Sequence, residues 1–96
     1  MSILLIIDAK LTQESVSKAV AFYAEIVSDT RSFEGCEAIE ICIDSEDAGN
    51  LVVVEKWASE DLYKKHYQWR EETGVLDHIR ALLDGPVSRQ VLNVAA

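Results

Sequence analysis

The sequence predicts an α+β domain of β-α-β-β-α-β order, the ferredoxin-like arrangement with a four-stranded antiparallel sheet. Three observations carry that expectation. A continuous β-rich apolar run stands near the start, at Ile3–Ile7. Two stretches of helical periodicity, roughly 13–31 and 60–73, are closed by Gly35 and Gly74. Strand-like runs occupy the remaining intervals. The 96 residues make one domain, 1–96, with no linker, repeat or low-complexity stretch.

Each element has its own signal. Ile3 to Ile7 carries no polar alternation and reads as a central strand buried on both faces. Thr12 is placed to cap the first helix, with Glu14 set against the helix dipole. Val16, Ala19, Val20, Tyr23, Ile26, Val27 and Thr30 share one face of it; Phe22 falls off that stripe. Ile39, Ile41 and Ile43 then alternate with Ala38, Glu40 and Cys42, a half-buried strand. Asp44 to Asn50 reads as a turn, and Leu51 to Trp57 as the strand that completes a hairpin. Ser59 caps the second helix, with Glu60 and Asp61 in its first turn. A short helical segment near Leu76–Leu83 follows, Gly85-Pro86 breaks it, and Val87 to Val94 is the last strand. Both helices fall on one side of such a sheet, so the other side needs a cover, and a second copy of the chain is the expected one.

Composition narrows the function. Seventeen acids against nine bases give a net charge of −8, and the only basic pair is Lys64-Lys65. A nucleic-acid binder needs a basic face, so that class is excluded. No apolar run approaches the ~20 residues of a membrane helix, and Ile3–Ile7 lacks the features of a secretory signal, so the expectation is a cytoplasmic protein away from the membrane. Cys36 and Cys42, six apart on one strand, stand about 20 Å from each other and cannot pair there. Asp44, Glu46, Gly49 and Glu55 imitate a calcium loop, but Ala48 sits where an oxygen ligand is needed and the flanks are strands. Cys36, Cys42, His66 and His78 match no zinc spacing, so no metal site is expected. The chain is too short for a dinucleotide-binding fold.

The chemistry concentrates near the second helix. Leu62, His66, Trp69 and Thr73 project from one narrow stripe, with Tyr63 and Arg70 on its edge. Trp57 ends the strand that feeds this helix, and Tyr23 lies on the inward stripe of the first. A core built for stability alone favours Leu, Ile and Val. This one offers two indoles, phenols, an imidazole and a guanidinium. Glu55, in phase with Val53 and Trp57, is expected either to pair across an interface or to be exposed.

The stretches Phe33-Glu34-Gly35-Cys36 and Leu51-Val52-Val53-Val54-Glu55-Lys56-Trp57-Ala58-Ser59-Glu60, followed by His66 nine residues after Trp57, resemble the antibiotic biosynthesis monooxygenase family. Trp69-Arg70-Glu71-Glu72-Thr73-Gly74 and Gly85-Pro86 resemble one subgroup of it. The resemblance implies a dimeric α+β barrel, a homodimer closed through the open sheet faces, with a pocket between sheet and helices in each subunit. It also implies O2 chemistry on a quinol or other small hydroxylated aromatic, with no flavin, metal or other cofactor. His66 then fits the catalytic base and Arg70 the counter-charge, while Trp57, Trp69, Tyr23, Tyr63 and Leu62 wall the substrate slot. Ile3–Ile7 is wholly apolar where haem-degrading and polyketide-oxidising relatives place an Asn, which points away from haem. Two other classes fit the same fold: a non-catalytic dimeric ligand-binding domain, and an isomerase.

Overall fold

The computed structural model describes all 96 residues. Its elements are β1 (Ile3–Lys10), α1 (Gln13–Ser32), β2 (Cys36–Asp44), β3 (Asp47–Trp57), α2 (Glu60–Glu72), α3 (Val75–Leu82) and β4 (Val87–Asn93). The sheet order is β2-β3-β1-β4, with every pairing antiparallel, so the expected ferredoxin-like topology is the one found.

Local chemistry sets the helix ends. The Thr12 hydroxyl accepts from the Ser15 backbone N–H at 3.1 Å, and the Ser59 hydroxyl accepts from the Leu62 N–H at 3.2 Å. Each cap contributes about 1 kcal/mol. At Gly35 the backbone takes φ +89°, and a Cβ there would stand 2.6 Å from Leu62 Cδ1. The missing side chain therefore lets α2 start directly against the α1–β2 turn.

Register places the functional residues. Across the helix-facing side of the sheet, Ile39, Glu55, Leu5 and Val91 form one row, and Ile41, Val53, Ile7 and Arg89 form the next. Two apolar cores pack between sheet and helices. One gathers Ala9, Val16, Ala19, Tyr23, Ile39, Leu51 and Val53; the other gathers Ile3, Leu5, Trp57 and Tyr63.

Several expectations change. β1 is not buried on both faces: Ile3, Leu5 and Ala9 are buried under the helices, while Leu4, Ile6 and Asp8 on the opposite face stay half-exposed, because one chain offers nothing to cover them. The strand also runs three residues further, to Lys10. The hairpin turn is shorter than Asp44–Asn50. The Asp44 carboxylate accepts from the Glu46 N–H and the Asp47 carboxylate from the Gly49 N–H, which closes the turn at 45–46 and leaves 47–50 in β3. On α2 the buried residues are Tyr63, His66 and Arg70, while Leu62 and Trp69 are half-buried and Thr73 exposed. The inward face is thus turned toward the residues that reach α1 and the cavity. Glu55 is not exposed; it is buried on the side of the sheet that faces the helices.

Candidate active site

A cavity of about 190 Å³ opens between the sheet and the helix layer, in the gap between the two cores. Leu5, Ile7 and Ile39 floor it from the sheet; Ile26, Val27 and Ile79 roof it from α1 and α3. A volume this far below the ~300–1,000 Å³ of typical ligand pockets suits a ligand of one small ring system. The walls are mainly apolar, so each polar group on them stands out.

His66 is 7% exposed and lies against aromatic rings, with centroids 4.9 Å from Phe33, 4.8 Å from Trp57 and 6.0 Å from Trp69. Its Nε2 is sealed from solvent and has no hydrogen-bond partner. Burial, with a lesser push from Arg70, lowers its pKa to about 4. The imidazole is therefore neutral at physiological pH and able to accept a proton.

Glu55 is 8% exposed in its apolar row. Its Oε1 accepts from the Trp57 indole N–H at 3.0 Å. Burial pushes the carboxyl up from the usual carboxylate range, and the Trp57 hydrogen bond, Arg70 and Arg89 pull it partly back. Two phenols line the same space. Burial, reinforced by Glu55, pushes Tyr23 well up, and burial takes Tyr63 to about 12. Both keep their protons at neutral pH and remain O–H donors.

Arg70, 4% exposed, ties α2 to α1. Its Nη2 donates to the Ile26 carbonyl at 3.2 Å and to the Thr30 hydroxyl at 3.0 Å, and its guanidinium lies 4.4 Å from the centre of the Trp69 ring. The acids next to it in sequence go elsewhere: Glu71 pairs with Arg80 at 2.9 Å.

Of the residues singled out from the sequence, His66, Arg70, Tyr23 and Tyr63 meet at the cavity. Trp57, Trp69 and Leu62 are not on its wall. Trp57 is fully buried in the second core, Trp69 stacks beneath Arg70 and beside Phe33, and Leu62 packs over Gly35. The indoles back the imidazole from behind instead of walling the slot. Sequence reasoning left out Glu55, Arg89, Thr30, Tyr67 and Arg80, all of which line the cavity. Period-two phase carried a signal for two of them: Glu55 is in step with Val53 and Trp57, and Arg89 with Val87 and Val91. No three His, Cys, Asp or Glu side chains converge as a metal cluster.

Residues 2–80 match the family model described as antibiotic biosynthesis monooxygenase. The chain belongs to this family. The matched range runs from β1 into α3 of the ABM domain and stops before β4. Among solved structures, Rv0793 from Mycobacterium tuberculosis is similar at a TM-score of 0.85 and 20% identity, covering 100% of this chain and 97% of that one. A conserved protein from Methanosarcina mazei gives 0.86 at 16% identity, covering 97% and 92%. A variant of SnoaB, a cofactor-independent oxygenase from Streptomyces nogalater, gives 0.83 at 8% identity, covering 99% and 94%. At such identities the likeness is one of fold. No curated protein matches the chain. No helix of the ABM domain is long and apolar enough to cross a membrane.

Proposed function

We propose that this ABM domain is a cofactor-independent monooxygenase acting with O2 on a small hydroxylated aromatic or quinol. Family membership supports a monooxygenase-type activity. The observation that carries the finer reading is His66: a buried, neutral imidazole with an unpaired nitrogen, on the wall of a small apolar cavity.

His66 takes the proton of the ring hydroxyl. The resulting phenolate passes one electron to O2, and the two radicals join to a ring-bound peroxide. His66 returns the proton to the outer peroxide oxygen, which leaves as water with the hydrogen of the attacked ring carbon, and that carbon keeps the inner oxygen as a carbonyl. The balance closes for a phenol or a quinol: the ring gives up the hydroxyl proton, the C–H hydrogen and four electrons, and O2 supplies one oxygen to the ring and one to the water. Arg70 offsets the negative charge that develops beside His66. The dry walls hold off bulk water, and the Tyr23 and Tyr63 hydroxyls orient the ring oxygens. We also propose that a second copy covers the open sheet face, where Leu4, Ile6, Val54 and Leu92 are incompletely buried; ABM-domain proteins are commonly dimeric.

The test is O2 uptake by chelator-treated, flavin-free protein across a panel of quinols and anthrones. His66→Ala should slow turnover at least tenfold, the scale expected of a lost general base. A fully active His66→Ala would remove the assigned base. Tight binding with no O2 uptake by any member would favour a non-catalytic binding domain, and product formation under nitrogen an isomerase.

A further inference from the structure

Three of the four arginines in this chain of net charge −8 line the same cavity: Arg70, Arg80 and Arg89. They are not equivalent. Arg70 is committed to Ile26, Thr30 and the Trp69 ring. Arg80 is held by Glu71 at 2.9 Å, by Asp77 at 3.1 Å and by the Tyr67 hydroxyl at 3.1 Å. Arg89 has no acid within ion-pair distance and no side-chain hydrogen bond; its guanidinium stands 5.3 Å from the centre of the Tyr63 ring and 5.7 Å from that of Tyr67.

Position gives Arg89 its meaning. It pairs with Ile7 across the β1–β4 ladder, so its side chain rises on the helix side of the sheet. β4 is exposed along its whole length, and Tyr67 beside Arg89 is 36% exposed. Arg89 and Tyr67 therefore stand at the open end of the cavity, while Tyr23, Glu55 and His66 are buried within it. Stacking over the two rings holds the planar fork in place while leaving its N–H donors unused. An uncommitted guanidinium over the mouth of an apolar slot is a seat for one planar anion. The singly charged carboxylate matches it in charge and in bidentate geometry. A phosphate dianion would call for a second free cation, and Arg70 and Arg80 are both engaged.

We propose that the ligand of this cavity is an aromatic carboxylate, its ring inside and its carboxylate held at the mouth by Arg89. This deepens the oxygenase reading by naming a substrate class, and rests on it only in using the same cavity. Arg89 lies on β4, beyond the residues that match the family model. The bond is the same before and after chemistry, so it acts on binding rather than on the reacting ring.

The experiment is calorimetry under nitrogen with two probes that share the phenol ring and differ at the para group, the carboxylate of 4-hydroxybenzoate against the neutral hydroxymethyl of 4-hydroxybenzyl alcohol. Wild type should bind the acid at least tenfold more tightly. Arg89→Gln should erase that preference to within about twofold, and Arg89→Lys should restore part of it, since a point charge lacks the fork. Equal affinity for the two probes in wild type, a preference untouched by Arg89→Gln, or no binding of either probe would overturn the proposal. O2 uptake is then measured separately. A carboxylate preference without turnover sinks the oxygenase reading alone, and turnover of neutral quinols without that preference sinks this one alone.

Discussion

Trp57 and Glu55 lie two residues apart on the same face of β3, and the indole N–H of the first donates to the carboxylate of the second at 3.0 Å. The bond joins the most buried aromatic of the chain to the acid on the cavity wall. Burial raises the folded-state pKa of Glu55 above its ordinary value of 4.5, so folded Glu55 keeps a proton that the unfolded chain has released. In that window the native state binds more protons, and stability falls as pH rises. Glu55→Gln keeps an acceptor for Trp57 and cannot ionise. Urea midpoints should therefore show the variant gaining on wild type as pH rises from 4.5 through the raised value. A difference that is constant from pH 4 to pH 8 would mean that the Glu55 carboxyl titrates alike in both states.

Arg70 and Thr30 test the joint between α1 and α2. Thr30→Val keeps the shape but removes the hydroxyl that accepts from Arg70 at 3.0 Å. It should cost roughly 1–3 kcal/mol, because it strips a partner from a buried charged donor. Arg70→Lys loses the fork to Ile26 and Thr30 as well as the Trp69 stack. In a double-mutant cycle the two should couple by about 1 kcal/mol or more. Strict additivity would show that the bond seen between them carries no stability.

What the sequence made legible follows from periodicity. The seven elements follow in the expected order, with β1 and β3 longer than their apolar runs, and both N-caps and the inward stripe of α1 fall where capping chemistry and helical periodicity place them. The cavity wall rests on rotation and register, which periodicity fixes less well. An ideal helical wheel centred the α2 stripe on Leu62, His66, Trp69 and Thr73; the bonds of Arg70 to α1 centre it on Tyr63, His66 and Arg70. Strand phase alone does not bury Glu55, because a charge in an apolar strand needs a partner to be buried, and its partner is the indole of Trp57, two residues away on the same face. Arg89 comes from an edge strand exposed along its length, so its phase with Val87 and Val91 marks a face without saying whether the helices cover it. Only the pairing of Ile7 with Arg89 brings it to the site.

Gly35 and Gly74 form a controlled pair. Both take positive φ, +89° and +79°, but a Cβ on Gly35 would meet Leu62 at 2.6 Å and one on Gly74 would meet nothing within 4 Å. Gly74→Ala should therefore cost only backbone strain, roughly 1–2 kcal/mol. Gly35→Ala should cost more by about 1–3 kcal/mol, from the forced shift of Leu62 and the start of α2. Equal losses in thermal melts would mean that Leu62 moves aside freely.

The open sheet face bears on assembly. Ile6 pairs with Val54 on one side and Gln90 on the other, in the middle of that face, and is half-buried in the single chain. Ile6→Glu places a charge where a second copy is proposed to sit and leaves the helix-side cores untouched. Light scattering should give twice 10.7 kDa for wild type and 10.7 kDa for the variant, with the variant's circular dichroism unchanged. A wild-type monomer at micromolar concentration would contradict the proposed dimer.

His66 separates function from stability most sharply. Its ring fits between Phe33 and Trp57, yet its Nε2 is buried without a partner. A phenyl ring would fill much the same space with no orphaned nitrogen, so His66→Phe should hold or raise stability at neutral pH, by up to about 1–3 kcal/mol. Acid should widen the gap. Between 6.5 and about 4 the unfolded chain binds a proton at His66 that the folded chain does not, so wild type loses stability as pH falls through that window. The variant lacks this loss. Catalysis should move the other way: wild-type kcat/KM should climb with an acid limb near pH 4, where free-enzyme His66 titrates, and His66→Phe should lose at least tenfold in rate. A variant that is more stable but inactive identifies an imidazole kept for chemistry. One that is active, or strongly destabilised at neutral pH, identifies a packing residue.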